Sequence, residues 1–259
     1  MLSIIVVSFD ARADLERCLD SLRASPPRTP HEVIVVDNGS SDGSAEAARR
    51  RAGVRVIENG ANVGFAAANN VGIRASRGDL LLLLNSDTVM PAGAIDRLVA
   101  ELEADGTAAV AGPRIVDANG VAELSFGRMI SPLNEWRQKR LQRDRGRIAQ
   151  LTRRRGHPDW VSGACLLVRR ADAEAVGLLD ERFFLYTEDV DFCASIRARG
   201  RRILFTPDVE IVHARGRSAA AAPAAASRAY RASQLAFYRK HHPLWAPVLA
   251  AYLRMRRQA

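Results

Sequence analysis

Short apolar runs alternate with helical periodicities along the first half of this chain, and together they predict a succession of βαβ units. Residues 2–9 form an apolar run rich in β-branched side chains, after which Leu15, Cys18, Leu19 and Leu22 recur at the spacing of one helical face. Pro26, Pro27 and Pro30 end that helix, and a second strand over 33–36 stops at the turn-forming cluster Asp37-Asn38-Gly39-Ser40-Ser41-Asp42-Gly43. A short alanine-rich helix and a strand over 54–57 follow, and then a loop at 62–72 enters a helix. Gly64 in that loop permits close backbone approach, and Asn62 and Asn69 carry amides able to bond a nucleotide, with Phe65 between them.

The five consecutive leucines of 80–84 are too few to span a bilayer and suit a central strand buried on both faces of a mostly parallel sheet. The run stops at Asn85-Ser86-Asp87. Asp37 and Asp87 therefore end two strands on one rim, where open α/β sheets bind ligands. A carboxylate there suits a divalent metal held against phosphate oxygens, with a helix cap as the alternative for Asp87.

Beyond this point Ile95, Leu98, Val99 and Leu102 predict a helix, 108–116 a strand and Asn119-Gly120 a tight hairpin turn. Residues 160–168 read as one strand with small residues, Gly163 among them, that leave room for a sugar ring or permit close packing. A helix is expected from Val190 onward, capped by Thr187, with Glu188, Asp189 and Asp191 in or near its first turn, where the macrodipole alone would favour them. Residues 203–205 and 209–213 read as two strands, the second ending at His213, and 219–226 as a loose alanine-rich connection. Residues 228–239 read as a helix. Trp245, Val248, Leu249 and Tyr252 fall on one face of a basic tail helix, which suits an anionic membrane surface or packing on the body equally.

Composition narrows the class. The chain has 259 residues, 47% of them hydrophobic, enough for one large α/β domain. Cys18, Cys165 and Cys193 are far apart in apolar patterns and are expected to pack in a core rather than form a disulfide or a zinc site. Residues 1–7 lack the basic region and cleavage site of a signal peptide, so a cytoplasmic location is expected. The net charge of +9 implies attraction to anions, from nucleic acid and lipid to phosphorylated small molecules. Arginines gather in 137–155 and in the tail, without the aromatic interleaving of a single-strand binder. The 137–155 segment reads as a solvated, mobile stretch, or alternatively as a lid or a clamp for an anionic acceptor.

In this order the motifs Ser3–Asp10, Val35–Ser44, Asn62–Phe65, Asn85-Ser86-Asp87, Phe184–Asp191 and His213 resemble the family 2 glycosyltransferases, most closely their rhamnosyltransferase-like branch. The resemblance covers residues 1–218. It implies a GT-A fold, with a nucleotide-sugar half over 1–116, an acceptor half over 117–218, and a basic helical extension over 219–259. It also implies inverting transfer from a nucleotide-diphosphate sugar to a glycan or lipid-linked acceptor, helped by Mg²⁺ or Mn²⁺. By position, Ser8 and Asp10 would line the nucleotide pocket, Asp37 would bond the base, and Asn62 to Phe65 would surround the nucleoside. Asn85 would lie near the ribose, Asp87 and His213 would bind the metal, and Asp189 would be the general base, with Glu188 as its competitor. Asn85 departs from the acid that usually opens the family's acid-any-acid triplet.

A dinucleotide dehydrogenase is excluded because the first turn, Ser8-Phe9-Asp10-Ala11-Arg12, contains no glycine. A non-catalytic nucleotide-sugar binder would lack a reason to keep Asp87, Asp189 and His213 together. A nucleic-acid binder rests on charge alone, and no nucleic-acid partner is expected.

Overall fold

The computed structural model describes residues 1–214 and 223–258. Strands β1 (Leu2–Ser8), β2 (His31–Asp37), β3 (Val54–Glu58) and β4 (Leu80–Asn85) pair in parallel, in the order β3-β2-β1-β4. Helices α1 (Arg12–Ala24), α2 (Ser44–Arg49) and α3 (Phe65–Ala75) make the crossovers. The leucine run explains why β4 is central. Leu82 and Leu84 join one buried cluster with Leu15, Leu19 and Leu98, whereas Leu81 and Leu83 join a second with Ile5, Val7 and Ile73. Successive strand residues point to opposite faces, so a strand covered on both sides must be apolar throughout.

Past β4 the sheet mixes directions. A two-residue strand, β5 (Thr88–Val89), precedes α4 (Ala94–Ala104) and β6 (Ala108–Val116). Helix α4 starts well after Asp87 and carries Gly93 at its N-cap position, so the helix-cap reading of Asp87 is wrong. The ribbon β7 (Phe126–Gly127) pairs with β8 (Trp160–Val161), and β9 (Cys165–Arg169) slots antiparallel between β4 and β6. The single strand expected over 160–168 is thus broken. Ser162 donates its amide to Ser125, Gly163 and Ala164 turn, and the chain passes from the ribbon into the main sheet.

Two further expectations fail for related reasons. Residues 203–205 and 209–213 belong to one strand, β10 (Arg202–His213), in which Thr206 pairs with Pro113 but Glu210 with Arg114. The intervening 207–209 bulge out around Pro207, which has no amide to give the ladder. The basic 137–155 segment is helical over most of its length, within α5 (Pro132–Leu141) and α6 (Arg145–Leu151). Ser131 and Asp144 cap these helices through the amides of Asn134 and Arg147, which a reading keyed to strand patterns and charge overlooks. Of the expected loose connection at 219–226, residues 219–222 lie outside the described residues, and Pro223 opens a helix.

After α7 (Arg170–Ala175) and α8 (Glu188–Ala198) comes that C-terminal helix, α9 (Pro223–His241), which buries Phe237 and Tyr238 in the second core cluster. The last helix, α10 (Ala246–Gln258), turns Ala246 and Leu249 inward but leaves Val248, Tyr252 and Met255 exposed, as is Trp245 in the turn just before it. The three cysteines are buried and free.

Candidate active site

The carboxyl ends of β1, β2, β4 and β10 meet on one rim, and most of the candidate residues stand there. Ser8 and Asp37 are register partners across β1 and β2, both buried. Asp37 accepts from the Ser40 amide through Oδ2 (3.0 Å), whereas Asp37 Oδ1 and Ser8 Oγ have no hydrogen-bond partner among the described residues. A buried polar atom without a partner costs folding free energy, about 1–3 kcal/mol, so such atoms facing one rim are a sign of an absent ligand. Asn69 Oδ1, Asn85 Oδ1 and Glu188 Oε2 are in the same condition.

Asp10 and Asn62 are placed differently. Asp10 is exposed and its carboxylate accepts from the Ser41 amide at 2.7 Å, so it shapes the loop after β2 rather than presenting a free group. Asn62 Oδ1 is occupied by Asn38 Nδ2 (2.9 Å) and by the Gly64 amide (3.1 Å). Asn38, which the sequence reading passed over, is the buried hub of this loop and also accepts from Asn59 and from the Val63 amide. An asparagine directly after the strand-terminal Asp37 was the available signal.

Gly64 has φ +92, and a Cβ there would lie 2.6 Å from the Phe184 carbonyl oxygen. The absence of a side chain lets Phe65 donate its amide to that oxygen at 2.7 Å, joining the 62–65 loop to the segment that precedes α8.

His213 is delivered to Asp87 by backbone pairing. Strand β5 runs antiparallel to the end of β10, with Thr88 opposite His213, and the Ala214 amide donates to the Asp87 carbonyl at 2.8 Å. His213 Nε2 then lies 3.0 Å from Asp87 Oδ1 and 3.5 Å from Asn85 Nδ2. Glu123 Oε2 stands 3.7 Å from His213 Nδ1. Burial works against the charged imidazole, but the carboxylates of Asp87 and Glu123 overcome it and hold the His213 pKa at about 9. Glu123 was missed because it follows the Asn119-Gly120 turn with no pattern of its own. Among the described residues no group of three or more His, Cys, Asp or Glu is arranged as a complete metal site. One carboxylate and one imidazole fit a divalent cation whose other ligands come from a diphosphate and water.

Asp189 opens α8 and sits against the turn between β8 and β9. Its Oδ2 accepts from the Gly163 amide (2.8 Å) and its Oδ1 from the Val190 amide (2.8 Å). A Cβ on Gly163 would stand 3.3 Å from Asp189 Cβ and 3.6 Å from the Phe65 ring. The next residue, Ala164, accepts from the Asn85 amide at 3.0 Å. Asp189 and the Asp87–His213 pair are thereby joined through Gly163, Ala164 and Asn85. Burial raises both acids at the start of α8, and the nearby Asp189 charge pushes Glu188 up further, well above the usual carboxylate range. Amide donors oppose the rise at both acids, the Glu188 amide at Glu188 and the Gly163 and Val190 amides at Asp189, where they are more numerous.

Thr187 holds the N-cap position of α8 without a side-chain cap. Its hydroxyl donates to the Tyr186 carbonyl, and both residues have left-handed backbones, with φ +69 at Tyr186 and +65 at Thr187. Strain of this kind costs about 1–3 kcal/mol per residue and persists where surroundings enforce it. Here Ser233 of α9 donates to the Leu185 carbonyl (2.8 Å), and buried Asp191 is held by Lys240 Nζ (2.8 Å) and His241 Nε2 (2.6 Å). The C-terminal helix thus clamps the segment that aims Asp189.

Comparison with known proteins gives a consistent answer. The profile of Glycosyl transferase family 2 matches residues 3–176. The N-acetylglucosaminyl-diphospho-decaprenol L-rhamnosyltransferase of Mycobacterium tuberculosis is 31% identical over 276 residues, covering 95% of this chain and 86% of that protein. A low-salt glycan biosynthesis hexosyltransferase of Haloferax volcanii is 26% identical over 82% of the chain and 66% of its own length. Among solved structures, a mannosyltransferase from Pyrobaculum calidifontis in complex with GDP-Man and Mn²⁺ superposes with a TM-score of 0.68 at 21% identity, covering 97% of this chain and 68% of that one. GalNAc-T7 with UDP, GalNAc and Mn²⁺ superposes at 0.63 and 19% identity over 82% of this chain and 43% of its own. The fold is that of the GT-A glycosyltransferases.

Proposed function

Because this chain belongs to glycosyl transferase family 2 and is rhamnosyltransferase-like, we propose that it moves a rhamnosyl group from a nucleotide-diphosphate donor to a lipid-linked sugar acceptor, with inversion at the anomeric carbon. The observation that supports the proposal is the link from Asp189, which accepts from the Gly163 amide, through the adjoining Ala164 carbonyl to the Asn85 amide, two residues before Asp87, whose carboxylate pairs with His213. The link supports a reading in which Asp189 acts as the base and the Asp87–His213 pair holds a cation on the departing diphosphate, a combination suited to inverting displacement.

In the proposed reaction Asp189 takes the proton of the acceptor hydroxyl as its oxygen forms the bond to the anomeric carbon. The bond from that carbon to the donor's phosphate oxygen breaks on the opposite face, and the electron pair leaves with the nucleoside diphosphate. General-base help of this sort contributes about 10²- to 10⁴-fold. Asp87 and His213 would hold Mg²⁺ or Mn²⁺, which supplies Lewis-acid stabilisation of the leaving diphosphate. Asp37 Oδ1 and Ser8 Oγ, lacking partners among the described residues, would take the donors of the nucleobase, and Phe65 and Asn69 would bound the nucleoside.

The reaction would take place at a membrane surface. Among the described residues no helix is long and apolar enough to cross a membrane. The exposed Trp245, Val248, Tyr252 and Met255 of the tail, with Arg254 beside them, suit peripheral attachment to an anionic inner face.

The test is a donor screen by mass spectrometry, with N-acetylglucosaminyl-diphospho-prenol as acceptor and Mn²⁺ present. Rhamnosylated lipid is the expected product. Absence of transfer from every nucleotide-diphosphate sugar, together with no thermal stabilisation by any nucleoside diphosphate, would reject an enzymatic role.

A further inference from the structure

A cleft of about 820 Å³ is lined by none of Asp37, Asp87, Asp189 and His213. It opens between the ribbon strand β7 and helices α5 and α6, and it is both greasy and cationic. Leu124, Phe126, Leu141, Leu151 and Phe205 line it, and Trp136, more than half exposed, stands at its mouth with Arg140 stacked 4.9 Å from its ring centre. Arg128, Arg137, Arg147 and Arg154 also line it, and among the described residues none of their guanidinium groups has a carboxylate partner. The acid in the lining, Asp144, is consumed in capping α6 by accepting from the Arg147 amide at 2.9 Å.

We propose that this cleft binds the diphosphate and the first prenyl units of the lipid-linked acceptor. The proposal rests on the glycosyltransferase reading above and adds a site to it. Apolar walls alone would serve any greasy ligand, and arginines alone any anion. A prenyl diphosphate needs both within one cleft, with bidentate guanidinium contacts for the phosphoryl oxygens and dispersion contacts for the chain.

The cleft is also covalently continuous with the candidate active site. Leu124 directly follows Glu123, whose carboxylate faces His213. Strand β7 pairs with β8, which leads through Ser162 to Gly163, the donor to Asp189. A lipid held here would present its sugar along the 123–128 segment toward the rim. Arg128 is fixed at the far end of that segment, its carbonyl accepting from Trp160 Nε1 at 2.9 Å.

The experiment is calorimetric titration of the full chain with farnesyl diphosphate, inorganic diphosphate and farnesol, in parallel with thermal shifts by nucleoside diphosphates plus Mn²⁺. Farnesyl diphosphate is expected to bind at least about tenfold more tightly than either half-ligand. The double variant R137E/R154E is expected to weaken it by about tenfold or more, R137K/R154K to recover part of the loss, and the nucleotide shift to be unchanged in both. Equal binding of inorganic diphosphate, indifference to the double variant, or displacement of farnesyl diphosphate by a nucleoside diphosphate would each overturn the proposal. Loss of the nucleotide shift in the unaltered chain would instead reject the reading on which it rests.

Discussion

His213 Nε2 and Asp87 Oδ1 stand 3.0 Å apart, held there by a two-residue antiparallel pairing between β5 and the last residues of β10. Without metal this is an ion pair, because the His213 pKa of about 9 keeps the imidazole protonated at neutral pH. A cation bound through His213, as proposed, would have to displace that proton. Mn²⁺ affinity, measured by titration at stepped pH in the presence of a nucleoside diphosphate, should therefore rise from neutral pH to about 9 and flatten above it. His213→Ala should abolish the Mn²⁺-dependent part of the nucleotide thermal shift, and an unchanged shift would remove His213 from the metal site. The linkage sign for the metal-free protein is opposite. A raised histidine pKa contributes stability that is present below the ordinary value of 6.5 and is lost as pH rises through about 9.

Asp189→Asn should lower turnover by about 10²- to 10⁴-fold while leaving nucleotide binding intact, as read by initial rates beside thermal shifts. Glu188→Gln should be milder, because burial and the Asp189 charge already favour the neutral acid at Glu188. Activity should fall on acidification through a midpoint above the ordinary aspartate range, since burial raises the Asp189 pKa. By the same shift, the Asp189 contribution to folding stability is greatest at low pH and declines as the group ionises. A larger defect in Glu188→Gln than in Asp189→Asn would reverse the assignment of the base.

Gly163→Ala would place a methyl 3.3 Å from Asp189 Cβ and 3.6 Å from its Oδ2. The expected result is a folded protein with reduced kcat, because Asp189, the proposed base, is shifted but keeps its amide donor. Gly64→Ala meets a carbonyl oxygen at 2.6 Å and a positive φ, and should lower stability by about 1–3 kcal/mol in denaturant titrations. Equal melting curves for Gly64→Ala and the unaltered chain would show that the Phe184 contact is dispensable.

Lys240→Met leaves the carboxylate of Asp191, 2% exposed, facing His241 alone. A loss of about 1–3 kcal/mol is expected. Turnover should fall further than occupancy of the folded state explains, because α9 would release the segment that aims Asp189. Kinetics well below the melting temperature separate the two effects.

Replacing Trp245, Val248 and Tyr252 together by Ser should weaken binding to anionic vesicles in a co-sedimentation assay by about tenfold and leave folding untouched, since these side chains face outward while Ala246 and Leu249 hold the helix to the body. Undiminished binding would clear the tail of any interfacial role.

The parallel half of the sheet and the acids on its rim are written in local patterns of the chain. The alternation hidden within the leucines of β4 and the helical spacing of α1 and α4 are local patterns, each forced by burial on a known face, so they are legible without coordinates. Asp37 comes with them as the last residue of β2, and Asp87 as part of the turn just past β4. Features that depend on two distant segments at once emerge only on folding. The turn at Gly163 and Ala164 breaks an apolar run because its two halves pair with different sheets, the bulge at 207–209 makes one strand resemble two, and Glu123 gains meaning only beside His213. The arginines of 137–155 carry no periodicity that reveals α5 and α6. Their caps, Ser131 and Asp144, are local, but the greasy, cationic cleft is lined also by Phe126 and Phe205 from distant strands, which no local propensity encodes.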